Sequence, residues 1–171
     1  MTAEGRTKAT RLHRFDRWLY AGGRPNRTGR LMNRLAVVQF AAGIGRRNWV
    51  TLEVPGRVTG RIIAVPVVMA DHDGARHLVS MLGGEANWVR NVRAAEGRAV
   101  LRLNLRLRVA VQLVEVEPAE RAPIIKRYLA LAPGARAHIP VEPDAPLEEF
   151  EKIAADVPVF RITRPASAAK A

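Results

Sequence analysis

The chain has 171 residues, 48% of them apolar, with no cysteine and a formal charge of +12. That suits one folded domain with a sizeable core, perhaps extended by an arm, and it excludes global disorder, disulfides, thiolate metal sites and a cysteine nucleophile. The charge is uneven: residues 1–61 hold 13 Lys/Arg against 3 Asp/Glu, and residues 62–171 hold 15 against 13. An anionic partner is therefore expected for the first third of the chain, whether membrane lipid, nucleic acid or an anionic cofactor.

In chain order, residues 1–9 read as a disordered leader. Residues 10–20 have a helical period, with Leu12, Phe15 and Leu19 on one face and Arg11, Arg14 and Arg17 on another. Such a basic amphipathic helix either lies on an anionic membrane or packs on its own domain with its arginines in water. A break at Gly22-Gly23-Arg-Pro25 precedes a second helix, about 28–43, with Leu31, Leu35, Val38 and Ala42 in one stripe. The apolar run Leu35 to Gly45 contains Gln39 and falls short of the ~20 residues a membrane span needs. The N-terminus lacks signal-peptide form, so a cytoplasmic protein is expected.

Trp49 to Val54 alternates as a strand. Gly56 to Arg61 is a loop, and Ile62 to Met69 is a β-branched run expected to be buried on both sides. Asp71-His-Asp73-Gly74 signals a hairpin, with His77 to Met81 as the return strand. Asn87 is the expected N-cap of a helix through Ala95, stopped by Gly97. The alternating stretch 99–116 is too long for one strand, so a hairpin near Asn104–Arg106 is expected, although no glycine supports that turn. A helix over 122–132 follows. A second, over 145–155, is expected to bury Leu147, Phe150 and Ile153. A final strand runs from Val157 to Thr163. Antiparallel strands with inserted helices suggest a barrel-like core with α additions.

Two segments carry candidate chemistry. In Gly56-Arg57-Val58-Thr59-Gly60-Arg61, guanidinium, hydroxyl and loop N–H donors suit a phosphate or carboxylate; the same residues also make an ordinary hairpin turn. Gly83-Gly84 leads to a helix with Trp88 and Asn91 on one side, where paired glycines allow close approach of a ring or phosphate. Trp88 fits a core stripe, whereas Asn91 needs polar partners if buried. The four histidines have no metal-site spacing, so no metal is expected. No acid/base pair and no Gly-x-Ser-x-Gly elbow around Ser80 is present. Aromatic residues are only 5% of the chain, and the arginines are not interleaved with a stacking platform, so no nucleic-acid partner is expected.

Gly56-Arg57-x-Thr59-Gly60, Pro66 ten residues after Gly56, and a Gly-rich segment leading into Trp88-x-x-Asn91-x-x-Ala94 together resemble the deazaflavin-dependent nitroreductase family, over about residues 30–163. These are split-barrel reductases that use coenzyme F420. The resemblance implies a mainly β fold with α additions: a six-stranded antiparallel split β-barrel of the FMN-binding type over 46–163, a basic helical arm over 1–45 and a disordered tail over 164–171. It implies hydride transfer from reduced F420, with FMN the lesser choice, to a quinone, activated alkene or nitroaromatic. The cofactor contacts would be Arg57, Val58, Thr59 and Arg61 for the anionic tail; Ala64, Val65, Pro66, Val67 and Val68 along the ring; and Ser80, Met81, Gly83, Gly84, Trp88 and Asn91 completing the pocket. Tyr128 and His138 are the candidates for a proton donor to the acceptor.

The chain departs from the family pattern at Val58 and Leu82, where lysine is usual or frequent, and at Ile63, where arginine is frequent; Arg61 and Arg90 are the cations left to compensate. The alternative is therefore a non-catalytic barrel holding a lipid, a fatty acid or another flavin-like ligand. Peripheral attachment to the inner face of the cell membrane through residues 10–47 would give access to a lipid quinone. The oligomeric state is expected to be monomer or homodimer.

Overall fold

A computed structural model describes residues 47–165. The two expected N-terminal helices, all but residue 47 of the stretch 10–47 expected to meet a membrane, and the tail beyond residue 165 lie outside the described residues. Six strands, β1 (Trp49–Pro55), β2 (Ile62–His72), β3 (Ala75–Val79), β4 (Arg98–Arg102), β5 (Arg108–Glu115) and β6 (Val159–Thr163), close into an antiparallel barrel in the order β1-β2-β3-β6-β5-β4. This is the expected six-stranded barrel with helical additions. The helices are α1 (Asn87–Ala94), α2 (Arg121–Leu131) and α3 (Leu147–Ile153). Among the described residues no helix is long and apolar enough to cross a membrane.

Period-two alternation sends one side chain in two inward. Val50, Leu52 and Val54 of β1 face Val67, Val65 and Ile63 of β2, and Leu52 faces Leu101 of β4. Val50, Leu52, Val54, Val65, Val67 and Leu101 fill the interior with Leu78, Val111, Leu113 and Phe160, joined by Trp88, Val89 and Val92 from one face of α1. A second core lies outside the barrel. There Ile124, Ile125, Tyr128 and Leu129 of α2 and Phe150 of α3 pack on Ala70, Val79 and Val159. Fully burying one such aliphatic side chain stabilises the fold by about 1.5–3 kcal/mol.

The hairpin between β4 and β5 turns where expected, without a glycine. The Asn104 side-chain oxygen accepts the N–H groups of Arg106 at 2.9 Å and Leu107 at 2.8 Å, an Asx turn that supplies the reversal. The β2–β3 turn is the expected one, with Asp73 and Gly74 both at positive φ, 48° and 72°, as a type I′ turn requires.

Three expectations are corrected. Asn87 is the first residue of α1, not its N-cap; Ala86 precedes the helix and no side chain caps it. Among the described residues the start of β2 is not buried on both sides: Ile62 and Ile63 are 60% and 39% exposed. Leu147 is exposed at the first turn of α3, where only Phe150 is fully buried.

One buried charge is notable. Glu53 lies on the outer side of β1 and is 4% exposed. Arg102 and Arg108 clamp it, the latter through Nε at 3.1 Å. Strand pairing places Arg102 and Arg108 opposite each other, so one carboxylate ties β1 to β4 and β5.

Candidate functional site

The loop 56–61 is a closed hairpin tip. Gly56 donates to the Arg61 carbonyl at 2.8 Å and Gly60 to the Gly56 carbonyl at 2.7 Å, with Gly60 at φ 68°. This geometry turns the side chains of Arg57, Val58, Thr59 and Arg61 to solvent. The Thr59 hydroxyl accepts the Arg61 N–H at 3.4 Å.

The loop is fastened to α1. Asn91 is 4% exposed, and its Oδ1 accepts both the Arg57 backbone N–H at 3.2 Å and the Arg57 guanidinium at 2.9 Å. Asn87, one turn earlier, reaches the same guanidinium at 3.5 Å. Helical i,i+4 spacing puts both amides on one edge of α1, so Arg57 is held by two side chains from one helix. This gives Asn91 the partners that a buried amide requires. It also explains why Asn87 does not cap the helix: its oxygen faces the loop.

The opposite side of α1 is fixed separately. Arg93 grips Glu115 of β5 with two bonds, 3.0 and 2.7 Å, and Glu115 also accepts from Arg121 at 3.2 Å. Arg121 is buried and donates to the carbonyls of Val116 and Ala154. The Arg93 hydrogen bonds hold the Glu115 carboxyl below its ordinary pKa. The Arg93 guanidinium lies beside Gly84, where an added Cβ would sit 3.5 Å from it. Arg93 and Glu115 are 22 residues apart, so no local signal connects them.

The remaining candidate residues divide into two sets. Ala64 is exposed, and Val65, Pro66, Val67 and Val68 are half-buried along β2, next to the exposed Ile62 and Ile63. Val65 and Val67 pack on the barrel core and Val68 on the outer core, so the loop with its cations adjoins an exposed apolar edge made by Ile62, Ile63 and Ala64. Ser80 is buried and donates to the Gly83 carbonyl at 2.8 Å, shaping the turn at Gly83–Gly84, with Gly83 at φ 74°. Met81 packs against the outer core. Trp88 lies in the barrel interior, edge-on to Phe160 with centroids 5.5 Å apart, so its ring is core. Tyr128 is buried in the second core beneath α2, and that burial raises its phenol pKa. His138 follows the short turn Pro133–Ala137 beyond α2. Sequence reasoning missed Asn87 as a partner of Arg57 and Arg93 as a support of α1.

In overall shape the chain is similar to several solved structures. One is Atu2129 from Agrobacterium tumefaciens, of unknown function: 17% identity, TM-score 0.49, covering 77% of this chain and 53% of that one. Another is the F420-H2 dependent reductase FDR-A: 21% identity, TM-score 0.45, covering 68% and 94%. A third is a heme binding protein from Mycobacterium smegmatis: 17% identity, TM-score 0.45, covering 81% and 51%. The chain thus spans about half the length of the first and third. At this depth of similarity neither ligand nor reaction is assigned. No family model and no curated protein matches the sequence.

Proposed function

We propose that the protein is a deazaflavin-dependent oxidoreductase, using reduced F420 to reduce a quinone, an activated alkene or a nitroaromatic. The observation that carries this reading is the pair of hydrogen bonds from Arg57 to Asn91 Oδ1, which joins the two segments of the family-like motif. The residues present suit the cofactor's two ends. Arg57 and Arg61 are exposed cations for an anionic tail, and Gly60 keeps the tip free of side-chain bulk. The exposed start of β2, Ile62 to Ala64, offers an apolar edge for a ring.

When bound, the deazaflavin supplies the hydride. The chain's part is to hold and shield. Arg57 and Arg61 fix the tail, with Thr59 Oγ1 as a further polar contact. Ile62 and Ile63 keep water from the ring's edge, and Asn91 keeps Arg57 aimed. Positioning of this kind can contribute several kcal/mol, roughly. Tyr128 lies in the core, so a proton for the reduced acceptor would come from solvent or from the acceptor's own surroundings. Association with an anionic membrane through the basic first third would deliver a lipid quinone to the same surface.

A second reading has its own observation. Val58, at the loop tip, is 84% exposed, and Ile62 and Ile63 at the start of β2 are 60% and 39% exposed; exposed apolar side chains of this kind suit a non-catalytic barrel for a lipid or fatty acid. Titrating the protein with oxidised F420, and separately with a fluorescent fatty acid, discriminates between the two. Saturable F420 binding followed by turnover with menadione supports the reductase; fatty-acid binding alone supports the binding protein.

A further inference from the structure

The β4–β5 hairpin ends in an apolar tip that neither core absorbs. Leu105, Leu107 and Val109 are 71%, 46% and 38% exposed. Further along the same two strands Leu101, Val111 and Leu113 are buried, and Leu103 packs back on the barrel core. The hairpin leaves the sheet beside the start of β1, because Thr51 pairs with Arg102 and Arg102 with Arg108. The loop 56–61 leaves the other end of β1, so the tip is separate from the proposed cofactor surface.

Cations surround the tip. Between Glu96 and Glu115 the sequence holds four arginines and no acidic residue. Arg102 and Arg108 share the one carboxylate of Glu53, which leaves a positive charge over. Arg106, between the two exposed leucines, has no ion pair among the described residues. Arg47, just ahead of β1, is exposed at the same end. Arg164 is exposed there too, because β6 runs out toward the start of β5, with Thr163 opposite Gln112. Across this end of the barrel the β2–β3 turn carries Asp71, paired with Arg127, and Asp73, beside His72. The excess is positive.

The tip also satisfies its own backbone. Leu103 N–H donates to the Leu107 carbonyl at 2.9 Å. Asn104 Oδ1 accepts the N–H groups of Arg106 and Leu107. These three N–H groups need no water, which lowers the cost of moving the turn out of bulk solvent.

We propose that the β4–β5 hairpin docks on an anionic lipid surface. Leu105 and Leu107 enter the boundary between headgroups and acyl chains. Arg106 and Arg108 lay their stems along the leucines and reach the lipid phosphates. The tip extends about two residues beyond Arg102 and Arg108, roughly 7 Å at about 3.3 Å per residue. That matches the ~5–10 Å to which interfacial segments enter a bilayer. Nucleic acid fits less well, because the tip has no aromatic side chain to stack on bases and its most exposed residue is a leucine.

The sequence has no cysteine, so Leu105→Cys gives the full chain a single labelling position. The NBD-labelled protein is mixed with phosphatidylcholine–phosphatidylglycerol vesicles and with pure phosphatidylcholine vesicles. A blue shift of the label is expected with the mixed vesicles and little change with the neutral ones. Thr59→Cys, at the other end of β1, should give no shift with either. In vesicle sedimentation of the full chain, joint Leu105→Ser and Leu107→Ser should lower partitioning about tenfold. Arg106→Gln should lower it about fivefold at low salt. Any contribution of residues 1–46 is common to all these proteins, and the substituted side chains are exposed, so folding is kept. An unshifted Leu105 label, equal shifts at both labels, or unchanged partitioning of the serine variant would each overturn the proposal. Binding of a short DNA duplex in place of the mixed vesicles would overturn it as well.

Discussion

Arg57 donates twice to a single oxygen, Oδ1 of Asn91: from its backbone N–H at 3.2 Å and from its guanidinium at 2.9 Å. The contact spans 34 residues and fixes a solvent-facing loop to a helix whose other face lies in the barrel core. Two substitutions separate its structural part from its electrostatic part. Asn91→Ala removes the acceptor and leaves a backbone N–H to be re-satisfied by water, so a loss of about 1 kcal/mol in chemical denaturation is expected. Asn91→Asp keeps the acceptor and adds a charge against Arg57, so stability should hold while affinity for an anionic ligand falls. Equal affinity of Asn91→Asp and wild type for F420 would dissociate the contact from ligand binding.

The clamp on Glu53 should respond asymmetrically. Glu53 is 4% exposed, whereas the Arg102 and Arg108 side chains are 32% and 58% exposed. Replacing both arginines with leucine strands a buried carboxylate and should cost about 3–5 kcal/mol. Glu53→Gln leaves two cations that water can reach and should cost about 1 kcal/mol. Urea denaturation of both variants measures the difference. Equal losses would contradict the burial-based account.

Gly97 tolerates no side chain. It adopts φ 81° after α1, donates to the Val92 carbonyl at 2.9 Å, and an added Cβ would overlap the Leu113 carbonyl oxygen. Gly97→Ala should therefore destabilise by at least about 2 kcal/mol. Gly134→Ala, which meets nothing within 4 Å, should change stability by less than about 0.5 kcal/mol. Thermal melts of the two variants give the comparison directly.

Two groups with appreciable burial, His77 and Glu115, contribute to the acid side of the stability profile. The folded-state pKa of His77 is lowered from its ordinary 6.5, so the unfolded chain binds more protons as pH falls. Its stabilising effect is full above about 6.5 and is lost as pH falls through the folded value. The Glu115 pKa is lowered from 4.5, chiefly by its hydrogen bonds to Arg93, so its contribution is full above 4.5 and is lost at lower pH. His77→Phe should flatten the profile from pH 6.5 downward while leaving the Glu115 region unchanged. An identical slope in wild type and variant below pH 6.5 would exclude His77 as the source.

The strands were legible because their alternation is strong. Val50, Leu52 and Val54 mark one face of β1, and Leu101 to Leu113 mark β4 and β5 with the turn in the right place. The Asn104 side chain did the work that a glycine usually does, which is why the turn lacked its usual signal. The burial of β2 was misread because a β-branched run looks the same whether or not a helix covers it. Among the described residues α2 shares the outer core with Val68 and Ala70 of β2, and Ile62 and Ile63 stay exposed. Within the candidate site, Arg57 and Asn91 were singled out by residue type; their contact was invisible because it is tertiary. The position of Trp88 in the core rather than at the surface also depends on such contacts, here with Phe160. The contacts of Asn87 with Arg57 and of Arg93 with Glu115 were missed for the same reason: charged and amide side chains gain roles from partners far away in sequence.

Cofactor binding is the direct test of the proposed function. The full chain should be titrated with F420, following cofactor fluorescence, alongside Arg57→Ala. Saturable binding with a Kd on the order of 10 μM is expected for the wild type, with Arg57→Ala weaker by about tenfold or more. A wild-type signal that stays linear through that range, or equal binding by Arg57→Ala, would contradict the assignment of the loop and α1 as the cofactor surface.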